Sequence, residues 1–387
     1  MGVKRLTILG STGSVGTQTL DLVAENPEAY AVCALIGGRN VTLLAEQAKQ
    51  FRPEVTVISD ESLLGELRDA LAGTGLECAA GRRAVLEASG RPVDWTMAAI
   101  TGVAGLEPTL AAVKHGGTIA FANKEALVSA GDIFLRAVKA ADATLLPVDS
   151  EHNAIFQAMA DGNTKAIDKI VLTASGGPFR NHTLEEMRGI TREAALRHPV
   201  WTMGAKISID SATMFNKGLE VIEAARLFDL PSEQIEVLVH PQSIVHGMVY
   251  YADGSVLAQL GSPDMRVPIA HALAWPSRIA TQSPRLDLVA AAKLEFQAPD
   301  EVRFPALRLA REALTAGHGA PTVLNAANEI AVAAFLENRI GFLDIARIVE
   351  TVMTKFGAPP VDDLAAVLAL DEAARAAATA LAGARAA

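Results

Sequence analysis

The chain has 387 residues, half of them hydrophobic (50%), and a formal net charge of −10. That length admits two or three domains with a sizeable core. The acidic balance excludes a surface built for nucleic acid, which needs clustered lysine and arginine, but a local pocket could still take a small phosphorylated molecule.

No apolar run is long enough to span a bilayer, so no membrane partner is expected. Cys33 and Cys78 sit in apolar or helical-looking stretches without a partner motif and read as reduced core residues. The first strand begins almost at once, at Val3–Leu9, so a signal or transit peptide is not expected and the cytoplasm is.

Residues 1–149 alternate β-rich and helical stretches, the pattern of a doubly wound parallel sheet. Strands are predicted at Leu6–Leu9, Tyr30–Leu35, Val55–Ile58, Trp95–Ala99, Thr118–Phe121 and Ala143–Val148. Helices are predicted at Thr17–Glu25, Val41–Gln50 and Glu61–Ala70. Residues 150–279 read as a separate α+β domain, with strands at Ile167–Ala174, Glu236–Val239, Ser243–Tyr251 and Val256–Leu260 and a helix at Leu219–Phe228. A linker is expected over 280–304, following the Pro- and Ser-rich run that starts at Trp275. Residues 305–387 read as a helical domain with a packing role, ending in the amphipathic Leu364–Ala386.

The first motif is Gly10-Ser11-Thr12-Gly13-Ser14-Val15-Gly16, placed between a strand and a helix. Glycines there permit a tight turn and close approach of backbone to a pyrophosphate, whose charge sits at the helix N-terminus. The spacing is G-x-x-G-x-x-G, not the commoner G-x-G-x-x-G. A dinucleotide enzyme that prefers NAD has an acid at the end of the second strand, to bond the ribose 2′-hydroxyl. Here that strand runs into Gly37-Gly38-Arg39-Asn40, where an arginine is available for a 2′-phosphate. NADP is therefore expected.

The second motif is Asp149-Ser150-Glu151, at the carboxyl end of the sixth predicted strand. Read as extended chain, it points both carboxylates to one side. Two close carboxylates repel unless a cation or proton intervenes, and hard oxygen ligands favour Mg2+ or Mn2+. In the run Ser208–Glu223, a helix from Asn216 onward would put Asn216 and Glu220 on one face with Lys217 one turn before Glu220. Ser211 and Thr213 add hydroxyls upstream. Hydroxyl, amide and lysine together suit a phosphate. A capped helix with a surface Lys217–Glu220 pair is the plainer alternative. Thr173–Phe179 is a strand with a small-residue turn whose Ser175 could face a phosphate. His198-Pro199-Val200-Trp201-Thr202-Met203-Gly204 has the apolar bulk and glycine hinge of a lid.

In the strings Gly10–Gly16, Asn123-Lys124-Glu125, Asp149-Ser150-Glu151, Ala174–Phe179, His198–Gly204, Asp210–Glu220, His240-Pro241-Gln242-Ser243 and Pro263-Asp264-Met265-Arg266, all in order, the chain resembles the 1-deoxy-D-xylulose 5-phosphate reductoisomerase family. The resemblance implies a Rossmann-like NADP domain, an α+β catalytic domain and a C-terminal helical bundle in a homodimer. It implies that Thr12, Gly13, Ser14 and Val15 hold the NADPH pyrophosphate and that Gly38, Arg39 and Asn40 reach the adenosine phosphate. Asn123, Glu125 and Gly204 would line the cofactor, and Asp149, Glu151 and Glu220 would bind the divalent metal. Lys124, Ser150 and Glu151 would face the reacting carbons. Ser175, His198, Ser211, Asn216 and Lys217 would bind the phosphorylated sugar, with Trp201 over it; Lys124, Glu151 and His198 are the candidate catalytic groups. The implied reaction is a metal-assisted retro-aldol/aldol rearrangement followed by hydride transfer.

His240 and His246 have even spacing, would share a strand face, and read as structural. Met265 reads as core filler or a neighbour of the nicotinamide. A metal-free NADP dehydrogenase and a non-catalytic NADP-sensing protein are the competing readings, and neither needs the carboxylate set.

Overall fold

The computed structural model describes residues 2–159, 164–201 and 203–386, so Thr202 of the predicted lid and the terminal Ala387 lie outside the described residues. Two compact units share the chain. One is Met1–Ala126, Phe134–Asn153 and Asp264–Ser283; the other is Leu127–Ile133, Ala154–Pro263 and Pro284–Ala387.

The first unit is built on β1 (Lys4–Leu9), β2 (Tyr30–Gly37), β3 (Val55–Ile58), β4 (Cys78–Ala80), β5 (Trp95–Ala98), β6 (Thr118–Phe121) and β7 (Thr144–Pro147). They form one sheet in the order β4-β3-β2-β1-β5-β6-β7. Every ladder is parallel. Helices on both faces bury the strands, which is why β3 and β5 are apolar or threonine throughout and fully buried. The doubly wound expectation holds, with one strand more than predicted. β4 has three half-buried residues on the sheet's edge, too few for a periodic signal. It also takes Cys78 out of the predicted core: Cys33 is buried in β2, whereas Cys78 is half-buried on that edge.

Strand order reverses at β1, so its carboxyl end opens the crevice where such sheets take ligands. Gly10 turns the chain there with φ +85°, and a Cβ on it would sit 2.6 Å from the Ala99 carbonyl oxygen. Trp95 Nε1 donates to Ala272 O at 2.9 Å and Lys4 Nζ to Leu273 O at 2.8 Å. These bonds fasten the helix Arg266–Ala274 to the parallel sheet and explain why Asp264–Ser283 folds with the first unit, not with the strands before it.

The second unit has a mixed sheet of β8 (Ile167–Ala174), β9 (Ile235–Val239), β10 (Val245–Tyr251) and β11 (Val256–Leu260), in the order β11-β10-β8-β9. β8 and β9 are parallel, and the other pairings are antiparallel. The helices Phe215–Phe228, Ala306–Ala316, Ala320–Leu336 and Asp344–Phe356 share one apolar core with this sheet, through residues such as Ile170, Leu219, Ala310, Val323 and Ile348. The predicted linker contains the short helix Leu288–Ala291 and a bridge from Gln297 to Val239. Among the described residues no helix is long and apolar enough to cross a membrane.

The helix Phe215–Phe228 is buried on nearly all sides of its first ten residues, from Phe215 to Ala224, Asn216 being only half-buried. Gly218 lets it approach its neighbour: a Cβ there would lie 2.9 Å from Ala306 O and 3.0 Å from the Ala310 Cβ. Gly218→Ala is expected to cost about 1–3 kcal/mol of stability, read as a lower urea unfolding midpoint. The same change at Gly65, an exposed helical position with nothing within 4 Å, should be neutral or stabilising by up to about 1 kcal/mol.

Candidate functional site

In the first unit the helix Ser14–Glu25 starts immediately after the glycine turn, with Gly13 at its N-cap and no side chain capping it. Its first-turn amides are therefore left for an anion. Gly10 O accepts from Gly13 N at 3.0 Å, and Ile36 O accepts from both Gly10 N and Ser11 N, which locks the loop to the end of β2. Gly16 lets the helix sit on the loop, since a Cβ would lie 2.6 Å from Ser11 Cα. Thr12 Cγ2 faces the Cα of Gly37. Gly38 is open and exposed. Arg39 is largely exposed and pairs with Asp60 at 2.5 Å. Asn40 caps the helix Val41–Phe51, its Oδ1 accepting from Leu43 N at 3.1 Å.

Asn123 caps the helix that starts at Lys124. Its Oδ1 accepts from Ala126 N at 2.7 Å, and its Nδ2 donates to Gly102 O at 2.9 Å and to Ile100 O. Both ends of this buried amide are thus engaged by backbone, and its role is to join the loop after β5 to the loop after β6. Lys124 and Glu125 are buried, and Lys124 Nζ donates to Asp149 Oδ2 at 2.5 Å.

The carboxyl pair is not extended chain, as the alternation suggested. A helix, Ser150–Ala158, begins inside the motif, and Asp149 Oδ1 accepts from Glu151 N at 3.3 Å. Asp149 precedes the helix and Glu151 lies in its first turn, where the positive helix end favours anions. Ser150 Oγ donates to Glu151 Oε2.

The sequence reading missed the groups that hold this turn. Asn153 Nδ2 donates to Pro147 O at 2.8 Å and lies 3.1 Å from His271 Nδ1. Burial, with Arg278 nearby, pushes His271 down to about 4, so its ring is neutral and can accept that proton. No local pattern signals a partner so remote in sequence. Met265 stands at the N-cap of the helix Arg266–Ala274 and is half-buried, not core filler.

In the second unit the Lys217–Glu220 pair is not on the surface. Glu220 has 0% and Lys217 3% of its side chain exposed, and the two are in contact. Asn216 Nδ2 donates to Glu220 Oε1 at 2.5 Å, so the helical spacing does put the three on one face. Ser211 lies in the helix Ala205–Thr213, which Gly204 caps. That helix is tied by the buried Asp210, which pairs with Lys206 at 2.7 Å and accepts from Asn328 Nδ2 at 2.8 Å.

Ser175 follows β8 and meets His198. His198 Nδ1 accepts from Val200 N at 3.2 Å and Trp201 N at 2.9 Å. Its proton must then be on Nε2, which donates to Ser175 Oγ at 2.9 Å. Gly177 N also donates to Ser175 Oγ at 3.1 Å, so the serine accepts twice and keeps its own proton to offer. Trp201 is half-buried, its ring 6.2 Å from that of His246.

His240 and His246 do not share a strand: His240 follows β9, and a turn with Ser243 at φ 49° separates it from His246 in β10. His240 is structural, as expected. Its Nε2 accepts from Ile244 N at 3.2 Å, its Nδ1 donates to Glu295 O at 2.8 Å, and its ring stacks on Phe296.

Family models of 1-deoxy-D-xylulose 5-phosphate reductoisomerase match residues 6–131, with its C-terminal domain models matching 145–228 and 260–377. The reductoisomerase of Rhodospirillum centenum is 59% identical over 97% of this chain and 93% of its own. That of Gluconobacter oxydans is 62% identical over 90% and 86%. The solved structure of the Zymomonas mobilis enzyme in complex with NADPH matches with a TM-score of 0.93 and 52% identity over 99% of both chains. A reductoisomerase structure in complex with NADPH, fosmidomycin and magnesium matches with a TM-score of 0.93 and 43% identity over 98% of both. Fold and relatives together define an NADPH-dependent oxidoreductase with a doubly wound nucleotide sheet. The chain belongs to the 1-deoxy-D-xylulose 5-phosphate reductoisomerase family.

The tautomer of His198 makes its bonds to the Val200 and Trp201 amides sensitive to acid. Burial lowers the His198 pKa from 6.5. A depressed histidine contributes stability that is fully present above its unfolded pKa and is lost as pH falls below about 6.5 toward the folded value. A proton on Nδ1 removes the acceptor for both the Val200 and Trp201 amides. Acrylamide quenching of Trp201 fluorescence, taken as the difference between the wild type and Trp201→Phe, is therefore expected to rise as pH falls below 6.5 through the lowered His198 pKa. A flat difference would contradict the assignment of the proton to Nε2.

Proposed function

We propose that this chain converts 1-deoxy-D-xylulose 5-phosphate to 2-C-methyl-D-erythritol 4-phosphate, by rearrangement and NADPH-dependent reduction, in the methylerythritol phosphate route to isoprenoid precursors. The observation that carries the reading is Glu220, a carboxylate with 0% exposure held by Lys217 and Asn216 in a member of this family. A buried carboxylate needs positive charge to remain ionised.

Asp149, Glu151 and Glu220 supply hard oxygen donors, the set that suits Mg2+ or Mn2+. Bound there, such a cation supplies Lewis acidity toward the ketone and hydroxyl oxygens of the substrate, and NADPH supplies the hydride. Ser175, Ser211, Asn216 and Lys217 bind the phosphate; the proton that Ser175 keeps gives it one donor for a phosphate oxygen. His198 holds Ser175 in that orientation, and Trp201 excludes water while the carbon fragments are separate. Lys124, with Ser150 and Glu151, faces the reacting carbons, where its ammonium stabilises developing negative charge or carries a proton.

Thr12, Gly13, Ser14 and Val15 hold the pyrophosphate, while Gly38, Arg39 and Asn40 meet the adenosine end, Arg39 exchanging Asp60 for the 2′-phosphate. Glu125 and Gly204 line the cofactor, and Asn123 shapes that site through backbone. The protein acts in the cytoplasm, where the free thiols of Cys33 and Cys78 would stay reduced.

NADPH oxidation with 1-deoxy-D-xylulose 5-phosphate should stop with a chelator and return with Mg2+ or Mn2+. Glu220→Gln should lower kcat by about 100-fold or more with NADPH affinity within about twofold of wild type. Turnover indifferent to chelation would remove the metal role of the three carboxylates and leave a metal-free dehydrogenase.

The protein is a homodimer, a reading supported by β11, an edge strand that leaves Val256 and Leu257 each 43% exposed. Light scattering should give twice the chain mass, and Leu257→Lys should shift it toward the monomer; a monomeric wild type would end this assignment.

A further inference from the structure

The helix Lys124–Ala140 is broken. Ala130 has φ −131° and ψ 28°, outside the helical region. Such a break removes the amide partners of carbonyls in the preceding turn, and buried carbonyls must find other donors. Here the donors are side chains from two further helices. Arg226 Nη1 donates to Leu127 O and, at 2.6 Å, to Val128 O. Thr322 Oγ1 donates to Ser129 O at 2.8 Å, and Asn325 Nδ2 reaches Ser129 Oγ at 3.4 Å. Three consecutive carbonyls, 127 to 129, are thus bracketed from outside the helix.

Gly131 makes the bracket possible. A Cβ on it would lie 2.6 Å from Arg226 Nε, so only glycine lets the guanidinium lie against the backbone. Arg226 sits deep enough for desolvation to lower its pKa, opposed by the charge of Asp132. A guanidinium placed there for stability alone is a costly choice, since a cation loses its hydration on burial. The bracketed stretch Leu127–Ile133 belongs to the second unit, and the turn before it, which carries Lys124, belongs to the first. Arg226 also lies on the helix Phe215–Phe228, less than two turns beyond Glu220.

We infer that Arg226, seated on Gly131, is a positioning residue for Lys124: it holds the break at one angle and so fixes where the first turn presents the lysine ammonium. The inference rests on the proposed role of Lys124 at the reacting carbons. Misplacing such a group by about 1 Å can cost about 100-fold in rate.

The test compares Arg226→Met, Arg226→Lys, Gly131→Ala and the Arg226→Met/Gly131→Ala double variant, each shown by thermal melting to be folded at the assay temperature. Arg226→Met should lower kcat by about 100-fold, with the KM for 1-deoxy-D-xylulose 5-phosphate and the Kd for NADPH within about threefold. Arg226→Lys should recover about tenfold of that loss, because an ammonium can still reach one carbonyl. Gly131→Ala should lose about tenfold, and the double variant should be no worse than Arg226→Met alone, because the added methyl has no guanidinium left to displace. Wild-type kcat in folded Arg226→Met, or additive losses in the double variant, would overturn the inference. A wild type that does not turn over this substrate would instead sink the functional reading. Acetylation of Lys124, followed by mass spectrometry, then decides the bracket. Its rate should rise about fivefold in Arg226→Met with that of Lys206 unchanged, and an unchanged Lys124 rate overturns the inference.

Discussion

The burial of one charged pair constrains the second unit more than any other interaction. Glu220 and Lys217 lie one turn apart on a helix with almost no water contact. The desolvation of such a pair usually equals or exceeds its Coulomb attraction, so it adds little to stability. It lies in a core that includes Leu219, Val221, Ile222 and Ala310, and the rest of the unit supplies the apolar contacts that offset its desolvation. The C-terminal helices do this work. Gly218 lets the helix Ala306–Ala316 close over the face beside Glu220, and Asn328 ties the helix Ala320–Leu336 to Asp210, next to Ser211.

In the first unit one local device recurs. Parallel strands β1, β6 and β7 each feed a helix at their carboxyl ends, beginning at Ser14, Lys124 and Ser150. Each junction presents first-turn amides and short polar side chains in the same crevice. The devices differ in what satisfies them. The glycine turn leaves its amides open, Asn123 closes its own junction with three backbone bonds, and Asp149 both caps its helix and receives Lys124. Polar groups are therefore divided between holding the crevice and facing into it. The Ser175 junction of the second unit shows the same division: the His198 ring spends both nitrogens on orientation and leaves the Ser175 proton unspent.

The doubly wound sheet was legible in the chain's own pattern, because β-rich runs alternating with helical stretches can be satisfied in few ways. So were the glycine turn and the shared face of Asn216, Lys217 and Glu220, since these depend on contacts no more than a few residues apart. Where a reading depended on where a strand ends, it failed. Asp149 and Glu151 alternate as in a strand, yet the helix starts between them, and His240 and His246 fall on opposite sides of a turn. Edge strand β4 was too short to leave a period.

Tertiary structure alone decided what the buried polar groups bond to. Asn153 with His271, Asp210 with Asn328, and Arg226 with the broken turn at Ala130 join segments about a hundred residues apart. It also moved Lys217 and Glu220 from a plausible surface pair to a wholly enclosed one. The physical reason is range: backbone preference and side-chain periodicity act within a turn or a strand, whereas desolvation, and the partner each buried donor then requires, are set by whatever the fold packs beside it.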